Sequence, residues 1–66
     1  MKNNLRIERA IINVTQAELA ELIQVSRQTV NSIEANKYVP STVLALKLAK
    51  IFRKPVEEIF SLEEGE

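Results

Sequence analysis

Apolar residues recur along this 66-residue chain at intervals of three and four, the spacing that gathers them on one face of a helix. Short polar clusters break the pattern into five helices. The first runs from about Asn4 to Ile12, with Leu5, Ile12 and the intervening Arg9 on overlapping faces and Asn13 placed to end it. Met1 to Asn4 is alternatively extended. Thr15 followed three residues later by Glu18 is a capping box that opens a second helix to about Ile23, and Gln24 and Val25 form the turn after it. Ser26 caps a third helix that stops near Asn36, because Asn tolerates the left-handed conformation of a helix end. Lys37 to Pro40 is a loop. Pro40-Ser41 starts a fourth helix through about Phe52, in which Leu44, Leu48, Ile51 and Phe52 share a stripe. Pro55 suits the first turn of a short fifth helix that turns Val56, Ile59 and Phe60 inward and sets Glu57 and Glu58 near its positive end. Ser61 to Glu66 is strand or tail. The fold class expected is therefore all-α, one compact five-helix domain over residues 1–66, with short strands supported only at the two termini.

The third helix carries the most informative pattern. Ser26 to Glu34 reads Ser-Arg-Gln-Thr-Val-Asn-Ser-Ile-Glu. Val30 and Ile33 make one buried stripe, while Arg27, Gln28, Asn31 and Ser32 occupy the other side, a set of side chains suited to reading base edges.

Composition narrows the classes of function. A chain this short buries only roughly 60% of its extended surface, so it stands to gain stability from oligomerisation. The sequence has no Cys and no His, which removes disulfides, thiolate chemistry, the usual zinc ligands and the commonest general base. No metal, cofactor or enzymatic activity is expected, since no glycine-rich phosphate loop or paired-carboxylate motif organises the remaining Ser, Lys and Glu. No secretion signal or apolar run of about 18 residues is present, so the expected location is cytoplasmic, with no membrane partner. Net charge is zero, but its distribution is uneven: residues 1–54 hold all nine Lys and Arg against four Glu, +5, whereas residues 55–66 hold five Glu and no cation, −5. A basic body can attract phosphate, and the acidic end either limits indiscriminate binding or serves as a solubilising surface.

Three runs then carry a family resemblance. Thr15-Gln16-Ala17-Glu18-Leu19-Ala20, Val25-Ser26-Arg27-Gln28-Thr29-Val30, and Ile33-Glu34 with Asn36-Lys37-Tyr38 and Pro40-Ser41 closely resemble the Xre, or phage-repressor and Cro-like, helix-turn-helix family. The match spans about Leu5 to Phe60, with the helix-turn-helix at about 15–35. The chain is most similar to small stand-alone regulators typified by the cytolysin-operon repressor, which share Val-Ser-Arg-Gln-Thr and a closing Glu-Glu-Ile-Phe. The resemblance implies a homodimer on an operator of two-fold symmetry, with residues 55–66 supplying dimer contacts.

Ala20, with only a methyl group, lets the two helices approach, and Val25, Val30 and Ile33 close the wedge. The resemblance implies that Arg9 and Glu34 form a buried ion pair tying the first helix to the end of the third; alternatively Arg9 lies on the surface. Gln16, at the start of the second helix, is expected to bond a phosphate through its side chain and the exposed N–H groups, with Thr15 sharing it. Arg27 and Gln28 are placed to read bases, Arg on guanine and Gln on adenine, and Asn31 and Ser32 to reach the next pairs. Thr29 bonds a phosphate or packs its methyl on a thymine methyl. Asn36, Lys37 and Tyr38, joined by Ser41, are expected to hold the backbone across the groove, although Tyr38 is alternatively a lid on the core. Val39 stands where close relatives often have Asn, and Gln24 where they often have Gly, so a left-handed Gln24 would carry strain. Val43, Leu46, Phe60 and Leu62 form a self-complementary apolar patch for the dimer.

The function expected is a sequence-specific DNA-binding transcriptional regulator, a homodimeric repressor reading a palindromic operator in double-stranded DNA. Alternatives are an antitoxin-type autoregulator, or an interaction module that binds another regulator as a protein co-regulator.

Overall fold

In the computed structural model, which describes residues 1–66, the element order is β1 (Lys2–Asn3), α1 (Leu5–Ile12), α2 (Gln16–Ile23), α3 (Arg27–Glu34), α4 (Thr42–Phe52), α5 (Val56–Ile59) and β2 (Phe60–Ser61). Helices α2, α3 and α4 start where the sequence supplies a side-chain cap. The Thr15 side chain accepts from Glu18 N while the Glu18 carboxylate accepts from Thr15 N, a complete capping box. Ser26 and Ser41 accept from Thr29 N and Leu44 N, both at 3.1 Å. For α1 the cap is displaced: Asn4 makes no capping bond, and Asn3 Oδ1 accepts from Leu5 N at 3.0 Å instead.

Helices α1 to α4 are each followed by a left-handed residue, none of them glycine: Asn13, Gln24, Asn36 and Arg53 have φ between 55° and 61°. Helix α3 closes at Glu34, two residues short of the expected stop, and Ala35 adds a turn before Asn36 turns left-handed. Ile12 lies 37% exposed at the end of α1 and not on its buried face.

Leu5, Leu19, Ile23, Val30, Ile33, Leu48 and Ile59 are at most 1% exposed, so all five helices meet in one core. Each such side chain contributes about 1.5–3 kcal/mol relative to an exposed one. Ala20 is buried between α2 and α3, the most intimately packed helix pair. The termini close the molecule as an antiparallel ribbon, Lys2 opposite Ser61 and Asn3 opposite Phe60. Phe60 thus leaves α5 and enters a strand; at 6% exposure it is turned inward as expected, and is not an exposed member of the apolar dimer patch.

Glu8, which the sequence reading did not single out, is buried at 4% exposure. Its Oε2 accepts from Lys54 Nζ at 2.9 Å, which compensates the buried charge and ties α1 to the segment after α4. No helix is long and apolar enough to cross a membrane.

Candidate nucleic-acid interface

Helix α3 turns Val30 and Ile33 into the core, so its opposite face must carry Arg27, Gln28, Asn31 and Ser32. Arg27, Gln28 and Asn31 are exposed and Ser32 is half-buried. Gln28 forms a ridge between two concavities. One, of about 230 Å³, is lined by Gln16, Arg27, Gln28 and Asn31 and contains no apolar side chain. The other, of about 390 Å³, is lined by Ser26, Gln28, Thr29, Ser32, Lys37 and Tyr38. Donor-rich hollows on both sides of an exposed polar helix suit base edges and flanking phosphates.

The helix is held in position by a charged knot. Arg9 Nε and Nη2 donate to Glu34 Oε2 and Oε1 at 2.5 and 3.1 Å, and Nη1 donates to the Val14 carbonyl at 3.1 Å. The Glu34 side chain is 2% exposed and that of Arg9 16%. Burial pushes the Glu34 carboxyl upward, but hydrogen bonds from Arg9 and Gln16 and the charges of Arg9 and Arg6 outweigh it, leaving the carboxyl below its ordinary range. The bond to Glu34 likewise raises the Arg9 guanidinium, against the opposing effect of burial.

Gln16 completes this knot. Its Nε2 donates to Glu34 Oε1 at 3.0 Å and to Asn31 Oδ1 at 3.3 Å. Both amide protons are thereby engaged within the protein, and the side chain offers only an acceptor oxygen to its surroundings. The main-chain N–H groups of Gln16 and Ala17, in the first turn of α2, have no acceptor in the chain. They border a hollow of about 490 Å³ that Arg9, Thr15 and Arg27 also line.

Of the other expected contacts, Thr29, Lys37 and Tyr38 line one hollow together. Thr29 shares a 2.9 Å hydrogen bond with the Ser26 hydroxyl, and Tyr38 is 47% exposed beside Lys37. Asn36 and Ser41 line neither hollow beside α3. Asn36 Oδ1 accepts from Asn3 Nδ2 at 2.8 Å, and the same amide group donates to the Ile33 carbonyl at 2.8 Å. Asn3 was not singled out in the sequence, yet it fastens the end of α3 to the terminal ribbon.

The short helices α2 and α3, the tight turn through left-handed Gln24, and the exposed polar face of the second helix together define the motif. A helix-turn-helix family model matches residues 5–59. The chain belongs to the Xre, or Cro-like, helix-turn-helix family. Among proteins similar to this helix-turn-helix chain is an uncharacterised HTH-type transcriptional regulator of Methanocaldococcus jannaschii, 50% identical over 66 residues and covering all of both chains. Another from Bacillus subtilis is 47% identical over 97% of each chain. A third, from Archaeoglobus fulgidus, is 41% identical over all of this chain and 93% of its own.

On another face of this helix-turn-helix domain, Leu46 and Phe60 line an apolar groove of about 240 Å³ with Met1, Val39 and Val56. Val43, Leu46 and Leu62 are 58–71% exposed, but Val43 and Leu62 lie outside the groove. Val39, 63% exposed, joins this apolar surface, a place the sequence reading did not give it.

Proposed function

We propose that this protein is a sequence-specific DNA-binding transcriptional regulator that acts as a homodimer and represses by occupying a palindromic operator. The observation that carries the reading is the exposed face of α3, where Arg27, Gln28, Asn31 and Ser32 project between two polar hollows. Placed in the major groove, Arg27 bridges guanine O6 and N7, Gln28 bridges adenine, and Asn31 and Ser32 reach the following pairs. Phosphates are held on one side by the main-chain N–H groups of Gln16 and Ala17 with the Thr15 hydroxyl. On the other side they are held by Thr29, Lys37 and Tyr38, with Asn36 and Ser41 at the margin.

The homodimer rests on the apolar surface of Val39, Val43, Leu46 and Leu62, with Phe60 beneath it. Two-fold pairing sets the recognition helices about 34 Å apart, one helical repeat of DNA. Selection from a randomised duplex pool at about 150 mM salt tests the reading, since non-specific binding is then weak, at roughly 10⁻⁴–10⁻⁶ M. The expected product is an inverted repeat. A folded protein that enriches no motif would overturn the proposal and turn attention to a protein ligand for the apolar surface.

A further inference from the structure

The chain of bonds from Arg9 through Glu34 and Gln16 ends on a residue of the exposed face of α3. An ionised carboxylate only accepts hydrogen bonds, so the group that Gln16 turns toward Glu34 is necessarily its NH₂. The second proton of that NH₂ is directed at Asn31, which must meet it with oxygen. Asn31 Oδ1 is therefore turned toward α2, and its Nδ2, with no partner in the chain, is left to the hollow it shares with Arg27 and Gln28.

An asparagine free to choose pairs bidentately with adenine, accepting from N6 and donating to N7. One whose oxygen is turned away toward α2 presents its NH₂ to the hollow, and so meets a base there with donors. Guanine, with acceptors at both N7 and O6, answers that pattern, whereas the amino group of adenine meets no acceptor.

We infer that Gln16 is a specificity-determining positioning residue: it fixes the Asn31 amide so that Asn31 selects guanine and rejects adenine at the base it faces. The inference rests on the DNA-reading role of α3 proposed above. It also gives the buried Glu34 carboxylate a part in base choice, because Glu34 sets the orientation of Gln16.

The test compares motifs selected from a randomised duplex pool by the wild type, Asn31→Ala, Gln16→Ala and Gln16→Met. Asn31→Ala identifies the position by flattening it, and that position should be guanine in the wild-type motif. Gln16→Ala frees the amide to rotate, so adenine should gain about tenfold on guanine there and nowhere else, the scale of one bidentate contact. Gln16→Met, which keeps the volume of the side chain without its amide, should give the same shift. A loss of fold would instead weaken every position together. The relay is overturned if the position flattened by Asn31→Ala holds adenine in the wild type. It is equally overturned if Asn31→Ala flattens nothing, or if both folded Gln16 variants leave the preference unchanged. In those cases a wild-type motif still supports the DNA-reading role, whereas a wild type that enriches no motif removes both.

Discussion

Glu34 joins the two halves of the domain, because one carboxylate receives Arg9 from α1, Gln16 from α2 and the longer-range charge of Arg6. Arg6 is 80% exposed and contributes little. Removing Arg9 leaves a buried, uncompensated carboxylate, which costs roughly 3–5 kcal/mol. A 66-residue domain at about 0.05–0.15 kcal/mol per residue has roughly 3–10 kcal/mol in total, so Arg9→Ala should remove a third or more of its stability at pH 7. The sign of the pH effect follows from the lowered Glu34 carboxyl. Its contribution is complete above the unfolded value of about 4.3 and is lost as pH falls through the still lower folded value. Urea titrations of wild type and Arg9→Ala should therefore diverge at neutral pH and converge in acid. A gap independent of pH would show that the guanidinium acts by packing and not through the Glu34 charge. The pairing of these two residues was suggested by their places in a family pattern. The engagement of both Gln16 protons was not legible, because it depends on where three side chains meet in space.

At the scale of elements, the helix starts were written plainly in the sequence and the helix ends less so. Thr15, Ser26 and Ser41 act through residues three positions away, and such local bonds are visible as spacing. The end of α2 shows the cost of a missing glycine: Gln24 is left-handed at φ 61°, where a Cβ is penalised by about 1–2 kcal/mol. Its exposed side chain accepts one 3.3 Å bond from Lys47, worth little at the surface. Gln24→Gly should therefore stabilise the domain by up to about 1 kcal/mol after the greater freedom of unfolded glycine is subtracted, raising Tm by about 4–8 °C. Calorimetry showing a lower Tm would mean that Gln24 makes a contribution beyond its backbone conformation. Long-range pairings escaped the sequence reading for the opposite reason. Asn3 reaches Ile33 and Asn36 across 30 and 33 positions, and Glu8 meets Lys54 across 46, so no periodicity announces either. Phe60 was read as the end of α5, but its backbone at φ −121° and ψ 145° is extended and pairs with β1.

For the whole molecule the decisive quantity is the distance over which its charges act. The chain is neutral, yet residues 1–54 carry +5 and residues 55–66 carry −5. At 0.01 M salt the screening length is about 30 Å, comparable to the 33 Å long axis, so DNA experiences both regions together; at 0.15 M it is about 8 Å, and each region acts locally. Part of the acidic end is already matched, since the Met1 ammonium lies 3.1 Å from Glu66 and 3.8 Å from Glu63. Changing Glu63, Glu64 and Glu66 to Gln should tighten binding to random duplex severalfold at low salt, with the gain vanishing toward 0.15 M. The selected motif should not change, because no residue of this segment lines the hollows beside α3. Lys37→Ala supplies the opposite control: it should weaken all duplexes alike and reduce the salt slope by about one, as expected for a single lost phosphate contact. Salt titrations of the three proteins against one random duplex separate the possibilities. A tail variant that binds like wild type at every salt concentration would leave residues 62–66 as a solubilising surface, and one that alters the motif would place the tail at the DNA.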